Sequence, residues 1–223
     1  MKKLGIVMIV ILAIFWSAFA FGQVQWQVLS PITVVREKGK PVKKTFPFTA
    51  LGGTATITVH TNGLVTSTTV TLDKVLWKPG DFKKRIITYE KQVEIKNGLQ
   101  VLEIYMEGKP GAQLTVGISQ DVPEVNPQMG RLQIANALIV GNLESASQGF
   151  KSGKKVDIVF PILADDPSGR EEMAKWIQEA VLIEEDEDSK TYRYVWIDGD
   201  GIENFVEFTM AKNDQGEWII INW

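Results

Sequence analysis

Residues 99–118 read LQVLEIYMEGKPGAQLTVGI, and their period decides the fold of the first half. Leu99, Val101, Glu103 and Tyr105 fall on one side of an extended chain, and Gln100, Leu102, Ile104 and Met106 on the other. A spacing of two fits a pleated strand. Gly108-Lys109-Pro110-Gly111 breaks the run and residues 113–118 resume it, so the stretch is strand, turn, strand. Outward from it the pattern repeats at 26–28, 32–36, 54–61, 68–72 and 92–95, with a loop at 37–44. Asn62-Gly63 and Asn97-Gly98 read as tight turns, the former as the strongest hairpin signal in the chain. Threonine and β-branched residues dominate, and no segment between 30 and 120 has a period of 3.6. About seven short strands at this spacing predict an antiparallel β-sandwich.

The rest of the chain is unlike this half. Residues 23–122 carry 13 Lys/Arg against 8 Asp/Glu, a net of +5, and residues 123–223 carry 9 against 19, a net of −10. The whole-chain charge of −3 conceals that asymmetry. Before both lies MKKLGIVMIVILAIFWSAFAFG: Lys2 and Lys3, an uncharged apolar run, then the small-x-small patterns Ala18-Phe19-Ala20 and Ala20-Phe21-Gly22. That is the plan of a secretory signal peptide over residues 1–22, cleaved after Ala20 or Gly22, and it predicts a secreted or periplasmic protein. The alternative is a retained anchor, but Ser17, Gly22 and Gln23 end the apolar run early and no basic cluster follows. With no cysteine there is no disulfide, and the folded chain relies on its cores. Acidity and the export route both argue against nucleic acid. Lys38, Lys40, Lys43 and Lys44 read better as one solvated loop than as a site for an anionic glycan.

Pro79, Asp81, Phe82, Val93, Ile95, Gly98, Leu99, Leu102, Ile104, Gly108, Lys109, Pro110, Gly111, Leu114, Val116 and Ile118 match a pattern that ends G-K-P-G-x-x-L-x-V-x-I. Over residues 50–120 the chain resembles the Ig-like modules of bacterial surface and secreted proteins, departing at Gln100, where an Asn is usual. The resemblance implies an Ig-like sandwich over 23–122 with a scaffold or recognition role and no catalytic residues.

Val122-Pro123 and Asn126-Pro127 mark a linker at 123–128. Beyond it Met129, Leu132, Ala135 and Ile139 stand at helical spacing, and 143–150 reads as a second short helix. Residues 156–163, apolar and β-branched, read as a strand. Ser168 with Glu171 three residues later fits a capping box. Met173, Trp176, Ile177 and Ala180 then form an amphipathic stripe. Four strands follow, at 181–185, 191–198, 202–212 and 216–223, separated by turn-forming runs. Helices followed by a meander give an α+β domain over 129–223. The closing Gly216, Trp218, Ile220 and Trp223, after the strand ENFVEFTM, make this part similar to the nuclear transport factor two-like superfamily. That resemblance implies a cystatin-like cone, helices packed on a curved antiparallel sheet, and a possible homodimer. Its enzymes place an acid/base pair inside the cone; this half has no histidine, so no catalytic residue is carried over.

Candidate site residues are few. His60 is the only histidine and reads as a surface strand residue, since one imidazole does not make a metal site. The five carboxylates 184–188 lack the alternation and glycine of a calcium loop and read as a solvated hairpin tip. Asp198-Gly199-Asp200-Gly201 reads as a tight turn, because position twelve from Asp198 is Thr209. Tyr192, Tyr194 and Trp196 share one strand face, with Phe205 and Glu207 on the next strand. They read as core beneath the 169–180 helix, or as the lining of an apolar pocket. Trp77, beside Lys78, offers a stacking surface for a glycan if exposed, and Trp26 is the second such residue. Nucleophile, P-loop and dinucleotide motifs are absent. The sequence therefore predicts a non-catalytic binding or assembly module with no cofactor and with a protein or glycan partner of the cell envelope. Two rivals remain: a small-molecule or enzymatic cone using Asp157, Glu203 or Glu207 as a buried acid, and a carbohydrate-binding surface protein.

Overall fold

The computed structural model describes residues 24–37, 40–82 and 87–223. The predicted signal peptide and Lys38 lie outside the described residues. The chain is mostly β, with two antiparallel sheets and, among the described residues, four helices. The first sheet holds β1 (Val24–Val35), β2 (Val42–Thr61), β3 (Val65–Leu72), β4 (Lys74–Trp77), β5 (Thr88–Gly108) and β6 (Gln113–Val122). Their order across it is β1-β6-β2-β5-β3-β4.

Two strands are far longer than their sequence signals, β2 with 20 residues and β5 with 21. They pair along their whole length, Val42 opposite Met106 at one end and His60 opposite Thr88 at the other. Midway, the buried side of both strands switches. On β2 it passes from Phe48 and Ala50 to Ala55, Ile57 and Val59; on β5 from Val93 and Ile95 to Gln100, Leu102, Ile104 and Met106. The switch falls where Gly52 (φ +82°) and Gly53 (φ +100°) lie beside Asn97 and Gly98 (φ +96°). Left-handed backbone there turns the ribbon over by one residue, which glycine permits without Cβ strain. Asn97-Gly98 is thus a kink inside one strand, not a turn between two. Asn62-Gly63 is a turn, but β2 and β3 do not pair with each other; each pairs with β5. The Asn62 side chain accepts from Gln113 N and donates to Gly111 O, tying the turn to β6. Apolar residues from both ends of the sheet form one core.

The second part holds α1 (Pro127–Ile139), α2 (Leu143–Gln148), α3 (Lys154–Ala164), α4 (Pro167–Glu179), β7 (Val181–Glu185), β8 (Ser189–Ile197), β9 (Glu203–Lys212) and β10 (Trp218–Asn222). The sheet order is β10-β9-β8-β7, a meander, as the turn signals predicted. Residues 156–163 are helix, not strand. A short apolar run does not distinguish the two by periodicity, and here Phe160 and Leu163 face the core at helical spacing. α4 is capped by Asp166, not Ser168: its carboxylate accepts from Gly169 N at 2.9 Å, with Pro167 in the first turn.

α1 joins the parts. Asn126, read from sequence as linker, is its N-cap, accepting from Met129 N at 2.9 Å. Leu132 packs into the first core, while Ile134, Ala135, Ala137 and Leu138 pack into the second. The helix is buried on opposite sides, its polar Arg131 and Asn136 along with its apolar residues. At Gly130 it passes so close to β10 that a Cβ would meet the Trp218 backbone oxygen at 2.9 Å.

Candidate functional site

Strand alternation sorts the aromatic residues of the second sheet by face. Tyr192, Tyr194 and Trp196 point toward the helices. Tyr192 is buried, its ring 5.4 Å from that of Phe208 and 4.3 Å from the Arg131 guanidinium of α1. Trp196 lies between Tyr194 and Trp176 of α4, 6.0 Å from each. The amphipathic stripe of α4 therefore covers this face, and Met173, Ile177, Phe208, Met210 and Ile220 fill the space beneath it. These three aromatics hold helix to sheet.

Arg131 clamps the same layer from the other side. Its Nε donates to Ile177 O at 2.6 Å, and its Nη2 donates to Gln178 O and Ala180 O at 2.7 Å each. A cation at a helix C-terminus meets the negative end of the helix dipole and the unpaired last carbonyls. Burial lowers the Arg131 pKa, but an arginine remains charged.

Phe205 and Glu207 stand on the opposite face. The register places Arg193 across from Glu207, Val195 across from Phe205, and Ile197 across from Glu203. Arg193 Nε donates to Glu207 Oε1 at 2.7 Å, and its guanidinium lies 5.0 Å from the Phe205 ring centre. Around this pair the face is apolar and open: Phe205 is 58% exposed, Ile197 72%, and Val181 and Val195 are exposed beside them. A solvated sheet face ordinarily alternates apolar-in with polar-out. Here β8 puts Val195 and Ile197 outward as well as Tyr194 and Trp196 inward. That two-sided apolar pattern is the signal in the sequence that marks the face, and the sequence reading missed it.

Trp77 belongs to neither face. It is 7% exposed in the core of the first sheet, its ring 6.5 Å from Phe82 and 5.8 Å from the Lys91 ammonium. Trp26 is also buried. Neither offers a free ring face to a glycan. Of the carboxylates proposed as a buried acid, Asp157 and Glu203 are exposed and Glu207 is held by Arg193. His60 accepts from or donates to Thr88 Oγ1 at 3.0 Å on the exposed strand surface. The chain matches no family model. It matches no curated protein either.

Proposed function

We propose that this chain is a non-catalytic assembly module of the bacterial cell envelope, and that it self-associates through the outer face of β7–β9. The observation that carries the reading is the open apolar patch of Val181, Val195, Ile197 and Phe205. Contiguous exposed apolar surface marks an interaction site in a soluble protein. Its occupant is a second copy. Arg193 and Glu207 sit side by side at its centre, so a two-fold axis between them sets each copy's arginine over the other's glutamate. Elsewhere the second half is strongly acidic, whereas within this patch Arg193 offsets Glu207 and Glu203 stands at its edge opposite Ile197.

Export is supported by Lys2, Lys3 and the apolar run after them. The Ig-like reading of the first sheet is supported by its all-antiparallel pairing and single core. The cone reading of the second part is supported by helices α1 and α4 on one face of a four-stranded meander.

Light scattering over a dilution series tests the occupant. Arg193→Glu is expected to weaken the dimer, and the double variant Arg193→Glu/Glu207→Arg to restore it. Self-association unchanged in Arg193→Glu overturns the two-fold.

A further inference from the structure

Helix α3 turns a second apolar stripe to solvent, on the helix side of the second sheet. Its inner side is held in the core by Phe160 and Leu163, with Phe160 5.3 Å from Phe150, which bridges to Ile220 of β10. Ile158 and Ile162, four residues apart and so on one helix face, are each 62% exposed. That face ends in opposite charges. Lys154 stands one turn before Ile158, and Asp165, which closes the helix in right-handed conformation, stands one turn after Ile162. Both are exposed, and neither side chain is hydrogen-bonded or ion-paired to another described residue. The neighbouring charges are engaged or lie aside. Lys155 donates to Trp223 O, Arg170 donates to Leu163 O and Ala164 O, and Asp157 lies about 100° round the helix from Ile158. Lys154 also sits at the end of α3 where the helix dipole favours an acid, and Gly153 supplies no side-chain cap there.

We infer that this stripe packs antiparallel on the α3 stripe of a second copy, with Lys154 of each copy facing Asp165 of the other. Charge complementarity selects the occupant. Along the helix axis Lys154 lies about 9 Å before the midpoint of the isoleucine pair, and Asp165 about 7.5 Å after it. A two-fold axis through that midpoint brings each lysine to the other copy's aspartate and sets Ile158 against Ile162. Each aspartate then also meets the positive end of the other helix. A parallel pair would set like charges together, and an anionic surface would meet Asp165. The acid run at 184–188 is screened from the contact. It follows β7, three strands across the sheet from β10, or about 14 Å, against a screening length of about 8 Å. With two isoleucines and one lysine–aspartate pair from each copy, the contact is weaker than the sheet-face dimer. Two different two-fold contacts, one on each side of the second sheet, link copies beyond a pair, into chains or a closed tetramer. That larger assembly rests on the sheet-face reading, whereas the α3 contact does not.

The test is sedimentation equilibrium at submillimolar concentration in the Phe205→Asp background, which removes the sheet-face contact. The expected result is a reversible dimer that Ile158→Asp abolishes. Lys154→Asp and Asp165→Lys are each expected to weaken it about tenfold, since each turns two attractive pairs into repulsive ones. Mixing these two variants restores association, because each carries the charge the other lacks. If the sheet-face reading fails, wild-type protein serves as the background and the mixture reads the same way. No dimer in the background protein, a dimer that Ile158→Asp leaves unchanged, or a mixture no more associated than its components overturns the contact. Cosedimentation with phosphatidylglycerol vesicles that Ile158→Asp abolishes gives the stripe to a lipid surface and also overturns it.

Discussion

The side-chain amide of Asn136 pairs with the backbone of Thr49 as a neighbouring strand would. Thr49 N donates to Asn136 Oδ1 at 2.8 Å, and Asn136 Nδ2 donates to Thr49 O at 2.8 Å. The same Nδ2 also donates to Val28 O of β1 at 2.8 Å. Strand β6 covers β2 only from Thr56 to Thr61, so one buried asparagine on α1 completes the part of that edge at Thr49. It also bonds the second half of the chain to the first.

Replacing Asn136 with leucine strands three backbone groups in the interior. Each unmet group costs about 1–3 kcal/mol, so a loss of about 3 kcal/mol or more is expected, well above that of one hydrogen bond. Asn136→Asp is expected to be no milder, because a carboxylate cannot donate to two carbonyls. Urea midpoints of the two variants check this; a shift worth under about 1 kcal/mol for both contradicts the role.

Arg131→Lys is expected to fail as a substitute. An ammonium lacks the planar fork that reaches Ile177, Gln178 and Ala180 together, and it stacks less well on Tyr192. The predicted cost is about 2 kcal/mol, with faster amide exchange at the end of α4. Native-like protection in that last turn counts against the clamp.

The kink in the long ribbon separates two glycines of similar backbone angle. Gly52→Ala places a Cβ 3.0 Å from Asn97 N, whereas Gly63→Ala meets open space. Both incur the left-handed penalty of about 1–2 kcal/mol, and only the first adds a clash with the partner strand. Gly52→Ala is therefore the more damaging in thermal melts; equal effects argue against a tightly paired kink.

Two carboxylates, the half-buried Asp198 and the exposed Glu124, have pKa values below the ordinary range. Asp198 is lowered by backbone N–H donation from Ile202, then by Asn204 and Asp200. Glu124 is lowered by its pair with Lys212. A depressed folded-state pKa contributes stability above the unfolded value, and that contribution is lost as pH falls through the folded one. Stability is thus expected to hold from neutrality to about pH 4.5 and to decline below it. In Asp198→Ala the decline is shallower, as urea midpoints measured across that window read directly.

How far the sequence carries the fold depends on how local each signal is. Alternation at 54–61 and 99–107 placed residues of β2 and β5 on their correct faces. The union of 92–95 with 99–107 was hidden, because what holds Asn97-Gly98 inside one strand is its pairing with Leu51 and Ala50, nearly 50 residues away on another strand. The meander was legible from its turns. Residues 156–163 were not, since apolar β-branched runs suit either structure. Period two set Tyr192, Tyr194 and Trp196 together correctly, while Phe205 and Glu207 fell on the far side once register was known.

Sedimentation velocity of the purified protein, beside Phe205→Asp, tests the central claim most directly. The account predicts a dimer in the wild type at micromolar concentration and a folded monomer in the variant. A wild-type monomer throughout that range, or a Phe205→Asp dimer as stable as the wild type, would contradict it.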